Sequence, residues 1–272
     1  MIIPETDRQF VGSVPEIYDQ LLVPLIFAPY AADLAARVRE RKTSALLEVA
    51  AGTGVGTREL AARMPATVSI IATDLSRPML DQAARIGAPQ PVKWQHADAM
   101  RLPFLDASFD AVVCQFGVMF FPDRVKAYSE VRRVLRPGGM FIFNTWDRIE
   151  ANEFASAVQS GLTELYPEDP PRFLVRTPYG YFEPRLIRED LTRAGFGATA
   201  SIDVVPARGH AASACSVAQA YCQGTPMRGE LDARGPGELA RATRAAEAAV
   251  ARRFGEGPSE GGLQALVVAV EV

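Results

Sequence analysis

The feature that most constrains this chain is the passage at 45–56, ALLEVAAGTGVG, where a short apolar run ends abruptly in a glycine-rich turn. A run of that length can be buried on both faces only as a strand of a parallel sheet, and glycines directly after it let the backbone pass close to a ligand. The segment TRELAARM that follows has helical spacing, and the expected helix opens at Thr57. The rhythm then repeats. VSIIATD (68–74) is a predicted strand, RPMLDQAARIG (77–87) a helix with Pro78 near its start, and VKWQHAD (92–98) a third strand. FDAVVCQFGVMFF (109–121) begins as a fourth strand, 124–139 is an amphipathic helix stopping at Pro137-Gly138-Gly139, and MFIFNTW (140–146) is the fifth. Strands alternating with helices at this spacing specify an α/β fold of right-handed βαβ units, with ligands bound at the carboxyl ends of the strands.

On either side of this core the pattern changes. Residues 10–43 carry apolar positions at helical spacing interrupted by Pro24 and Pro29, which predicts short helices, the last over 30–41. Beyond Trp146 a helix is expected near 151–165, then the loop YPEDPPRF, a helix near 185–194, a strand TASIDVV, an Ala-rich helical stretch over 211–254 and a closing strand at 264–272. With no repeat or low-complexity linker, 1–272 reads as one domain. Its parts are an N-terminal helical lid (1–43), a core (44–146), and remaining strands (147–272) interrupted by a helical cap insertion at 207–263.

Composition narrows the function classes. The 29 Lys and Arg against 32 Asp and Glu give a net charge of −3, which argues against nucleic acid as a partner. No apolar run approaches the roughly 20 residues of a membrane span, and the N-terminus MIIPETDRQF lacks the order of a signal peptide. Cys114, Cys215 and Cys222 have no CxxC spacing, so no metal site and no disulfide framework is expected, and the setting is read as cytoplasmic. Glycine at 57 would be needed for the dinucleotide fingerprint GxGxxG, but that residue is Thr57.

Six short motifs occur in order: EVAAGTG, Asp74 at the end of the second strand, Asp98-Ala99 after the third, LPF at 102–104, SFDAVV at 108–113 and LRPGG at 135–139. Together they resemble class I S-adenosylmethionine-dependent methyltransferases, and more narrowly the ubiquinone/menaquinone-biosynthesis-like small-molecule group. The resemblance implies a Rossmann-like, seven-stranded, mostly parallel sheet with helices on both faces, an antiparallel last strand and a helical cap. It implies transfer of the methyl of S-adenosyl-L-methionine to an O, N or C atom of a small-molecule acceptor, leaving S-adenosyl-L-homocysteine.

Asp74 would then accept from the ribose hydroxyls and Asp98 from the adenine amino group, with Leu75 and Met100 about the ring. Glu48 and the carbonyl of Gln115 or Gly52 would meet the methionine end, and Ala50, Gly54, Met79, Ala99 and Phe116 complete the cofactor set. Tyr18 would help close the site. Read without the resemblance, Asp74 would serve as a helix cap, Asp98 as a turn residue and Phe116 as pocket wall. No general base is evident. His96 and His210 are the only histidines and, with Tyr18, the only catalytic candidates. The rival functions are an NAD(P)-dependent oxidoreductase and a non-catalytic S-adenosylmethionine-binding protein. The acceptor and the choice between monomer and homodimer are not specified.

Overall fold

The computed structural model describes residues 3–197 and 200–272. Its strands are β1 (Ala45–Val49), β2 (Ser69–Asp74), β3 (Val92–His96), β4 (Phe109–Gln115), β5 (Leu135–Trp146), β6 (Ser201–Ala211) and β7 (Ser259–Glu271). Helix α1 (Val14–Ile17) continues through a π-helical run, Tyr18–Phe27, into α2 (Ala28–Arg39). There follow α3 (Val55–Arg63), α4 (Arg77–Ile86), α5 (Arg124–Val134), α6 (Glu153–Leu165) and α7 (Phe173–Arg176), then α8 (Pro184–Arg193), α9 (Ala214–Gln223), α10 (Met227–Asp232) and α11 (Glu238–Phe254).

The chain divides into two compact units, and it passes between them five times: at 28/29, 146/147, 180/181, 205/206 and 264/265. The first unit to be considered comprises Pro29–Trp146, Tyr181–Val205 and Ala265–Val272. It is built on the seven-stranded sheet of order β3-β2-β1-β4-β5-β7-β6, in which β1 to β5 run parallel and β7 lies antiparallel to β5. This is the expected mostly parallel sheet with an antiparallel last strand. On one face Leu46, Ile70, Val113 and Ile142 pack against Leu34 and Val38 of α2 and Leu60 of α3, all at most 2% exposed. Burial of a side chain of this size stabilises by about 1.5–3 kcal/mol, which is why these short strands need no polar anchors in their middles. On the opposite face Tyr128 of α5 stacks on Phe143, and its hydroxyl donates to that of Tyr181, which donates to Asp190 of α8.

The other unit comprises the chain up to Ala28, Asp147–Gly180 and Pro206–Gln264. It is held by buried polar ties as well as by packing. Asp7, 3% exposed, accepts from Arg176 Nε at 2.9 Å and Nη2 at 2.7 Å and from the Thr177 hydroxyl. Glu230 accepts the backbone amides of Arg172 and Phe173, both at 3.0 Å.

Several boundaries differ from expectation for identifiable reasons. Residues 135–139, read as a helix end, are the start of β5. Leu135 pairs with Phe109, and a register shift between Phe109 and Ala111 absorbs the Pro-Gly-Gly irregularity. β4 stops at Gln115 because Phe116 turns into the left-handed region, φ 49°. The expected helix break at Pro24 does not occur. Proline falls within the wider π-helical winding, and the run Val14–Arg39 is continuous. By length and composition alone that run is apolar enough to cross a membrane, contrary to expectation, and 56% of its most apolar window is buried within the protein. β6 extends through Pro206 to Ala211, as an edge strand permits. The first residue of the strand expected there, Thr199, lies outside the described residues. The Ala-rich stretch is three helices, interrupted at Gly224-Thr225-Pro226 and Gly235-Pro236-Gly237.

Candidate functional site

Alternation along the strands places Leu46 and Glu48 of β1 on one face, together with Val113 and Gln115 of β4 and Ile142, Asn144 and Trp146 of β5. The apolar face therefore ends, at the carboxyl side, in a polar row of Glu48, Gln115 and Asn144. The first turn of α3 covers this row. A Cβ added to Gly56 would collide with Glu48 Oε1 and lie 2.8 Å from Gln115 Oε1, so glycine lets the helix start here without displacing the ends of those two side chains. The helix opens at Val55 rather than at Thr57, because the Thr57 hydroxyl is not a cap but donates to Glu48 Oε2.

Glu48 is 1% exposed. Burial pushes its carboxyl up to about 8, with the Asp74 charge adding to the rise and the Thr57 hydrogen bond and the Arg58 charge opposing it. In the ligand-free protein this buried acid is neutral at pH 7, which removes most of the cost of a lone charge in the core.

At the tips of β1 and β2 the chain leaves the sheet through Ala50, φ 55°, and Gly52, φ 57°. The Gly52 amide is donated to Asp74 Oδ2 at 2.8 Å, and the Ser76 amide to Oδ1 at 2.7 Å. Half-buried Asp74 is held above the usual carboxylate range, desolvation outweighing the Ser76, Gly52 and Leu75 amides and the His96 charge. Next to it the Trp94 indole packs on the glycine turn: a Cβ on Gly54, φ 84°, would lie 2.9 Å from the ring.

After β3, Asp98 Oδ1 accepts the Met100 amide at 2.8 Å, the turn role open to it in the sequence. Leu75 is 48% exposed, Met79 and Ala99 are buried, and Met100 is half-buried. At the tip of β4 the Phe116 ring stacks on Trp146, 3.9 Å between centroids at 12°, with Tyr30 edge-on to both. Two residues here carry no signal in the sequence: Asn144, whose Oδ1 accepts the Phe116 amide at 2.8 Å, and Trp146.

The catalytic candidates are not brought together. His96 is exposed, and its Nε2 donates to the Leu75 carbonyl at 2.9 Å, leaving only Nδ1 as a proton acceptor. His210 lies within β6 rather than beyond it, exposed in the other unit 3.3 Å from Glu260. Tyr18 is also in that unit, at the start of the π-helical run, where it stacks on Phe27 at 5.1 Å and meets Phe10 edge-on. Among the described residues no group of His, Cys, Asp or Glu could hold a metal ion.

Residues 47–143 match the methyltransferase domain family. A demethylmenaquinone methyltransferase of Deinococcus radiodurans is 44% identical over 99 residues, which are 36% of this chain and 41% of that protein. The chain thus spans less than half the length of this curated relative. Among solved structures, phosphoethanolamine N-methyltransferase 2 of Haemonchus contortus aligns over 99% of this chain and 61% of its own, with TM-score 0.60 and 16% identity. The [4+2]-cyclase SpnF aligns over 100% of this chain and 97% of its own, with TM-score 0.56 and 19% identity. At such identities these likenesses concern the fold alone.

Proposed function

We propose that this chain, whose residues 47–143 match the methyltransferase domain family, is a class I methyltransferase that transfers the methyl group of S-adenosylmethionine to a small-molecule acceptor. The observation that carries the reading is the half-buried Asp74 carboxylate, fixed at the tip of β2 beside the glycine turn by the Gly52 and Ser76 amides. Such an arrangement suits a ribose cis-diol. Asp98, with Leu75 and Met100, takes the adenine, and the row of Glu48 and Gln115 takes the methionine end. The domain match includes each of these residues.

S-adenosylmethionine supplies a methyl already activated on a sulfonium, so the protein's share of the work is alignment and exclusion of water. A missing general base is then no obstacle. Buried Glu48 and Asn144 with half-buried Gln115 form a polar floor, and the Phe116–Trp146 stack forms a flat aromatic wall beside it. The N-terminal helices and 147–263 lie outside the family match, so the match does not fix the acceptor. The curated relative's quinone-type acceptor is therefore one candidate among small aromatic molecules. The free thiols Cys114, Cys215 and Cys222 favour a cytoplasmic setting.

Isothermal titration with S-adenosylmethionine and S-adenosylhomocysteine, with NADH as control, tests the reading. The expected result is binding of the first two and not of NADH, weakened by about 1–3 kcal/mol in Asp74→Ala, the cost of leaving buried polar partners unmatched. Unchanged affinity in that variant removes Asp74 from the ribose role. Binding of NADH instead would favour an oxidoreductase.

A further inference from the structure

Asn144 presents two facts that core packing does not explain. Its Oδ1 holds the Phe116 amide at 2.8 Å, and Phe116 is a bulky residue at φ 49°, a conformation that side chains other than glycine rarely adopt. Its Nδ2 is fully buried and has no hydrogen-bond acceptor among the described residues. A leucine at this position would remove the unmatched Nδ2 but would strand the buried Phe116 amide, so the side chain is retained for the oxygen that holds this turn rather than to fill space.

The position of Asn144 says what it is for. It pairs in register with Gln115, the residue before the turn, and lies on the same face as Trp146, on which the Phe116 ring stacks. Gln115 in turn crowds the space over Gly56 beside Glu48. Holding one amide therefore sets both neighbours: Gln115 toward Glu48, and the Phe116 ring flat against Trp146.

Resting on the proposed cofactor site, we propose that Asn144 is its positioning residue, setting the methionine-end group Gln115 and the aromatic wall Phe116 through the left-handed turn between β4 and the loop that follows. Asn144 does not itself have to touch a ligand. Loss of its oxygen frees the turn to relax out of the left-handed region, and both side chains then lose their placement.

The test titrates S-adenosylmethionine into the wild type, Asn144→Leu and Asn144→Asp by calorimetry, with melting temperatures and hydrogen exchange of the 109–121 segment recorded ligand-free. Asn144→Leu is expected to weaken binding about tenfold or more, the scale of losses from slight misplacement of a site group, and to speed exchange at the Phe116 amide. Asn144→Asp, which full burial holds as the neutral acid, keeps an acceptor oxygen, and it is expected to restore slow exchange and to bind within about threefold of wild type, a rescue that bulk stability alone would not produce. If Asn144→Leu fails to fold, the Asp variant decides: slow exchange at Phe116 with near-wild-type binding supports the role, and slow exchange with a tenfold loss overturns it. Equal affinity in the wild type and a folded Asn144→Leu overturns the inference alone. No binding by the wild type defeats the cofactor reading and the inference with it.

Discussion

Two tips of the sheet solve one problem with different chemistry. At the β1–β2 tip, Gly52 at φ 57° gives its amide to Asp74 Oδ2; at the β4–β5 tip, Phe116 at φ 49° gives its amide to Asn144 Oδ1, both at 2.8 Å. In each case a side chain at the end of the neighbouring strand catches the amide of a left-handed residue and fixes the turn. The first tip uses a half-buried acid; the second uses a neutral amide at 0% exposure. A charged holder suits a tip that must also receive hydroxyls. A neutral holder suits one that must present an aromatic ring without a buried charge.

The comparison can be broken first at Glu48, between the two tips. Its carboxyl is raised from 4.5 to about 8 in the folded chain, so the folded state binds the proton more tightly than the unfolded one. The stabilisation is complete below about pH 4.5 and is lost as pH rises to about 8, a few kcal/mol at about 1.4 kcal/mol per unit. Urea unfolding of the ligand-free protein from pH 5 to 8 should show this decline, and Glu48→Gln should flatten it. A wild-type slope equal to the variant's would mean that Glu48 is ionised and that the row is not the neutral floor described.

Gly56→Ala comes next. The added methyl pushes against the side-chain ends of buried Glu48 and half-buried Gln115, and overpacking that such ends can partly relieve costs about 1 kcal/mol. A change in urea midpoint too small to resolve would mean that α3 can lift from the row. Asp74→Asn is comparable: one of its two amide acceptors becomes a donor, costing about 1 kcal/mol of stability. A loss as large as that in Asp74→Ala would show that charge, not hydrogen-bond count, holds the β1–β2 tip. The smallest expected effect is at His96, whose Nε2 is occupied by the Leu75 carbonyl. His96→Ala should leave the pH–rate profile of methyl transfer unchanged, and a lost limb would restore it as a base.

The same contrast explains how far the sequence could be read. β1, β2 and β4 announce themselves because a strand buried on both faces must be a short apolar run, and turn chemistry follows: Gly52, Gly54, Asp74 and Asp98 stand where local spacing puts them. Asn144 and Trp146 escaped because their roles depend on the pairing of β5 with β4, a contact between segments 28 residues apart at Phe116 and Asn144. The start of β5 was misread for the opposite reason, since Pro137-Gly138-Gly139 is strong local punctuation that tertiary pairing overrides. Gly56 could have been found: three glycines in five residues, the third inside a helix, ask for a close neighbour.

The strand order also fixes a timetable. β7, residues 259–271, lies between β5 and β6 in the sheet although it follows both in the chain. During synthesis, at about 5–20 residues per second, β5 and β6 are therefore exposed for several seconds with no strand between them. Both offer open hydrogen-bonding edges over that interval, β5 along a stretch as apolar as Met140–Phe143. The nascent chain can complete its sheet only when residue 271 has left the ribosome, so a stall before that point exposes the part of the protein most prone to pair with another copy.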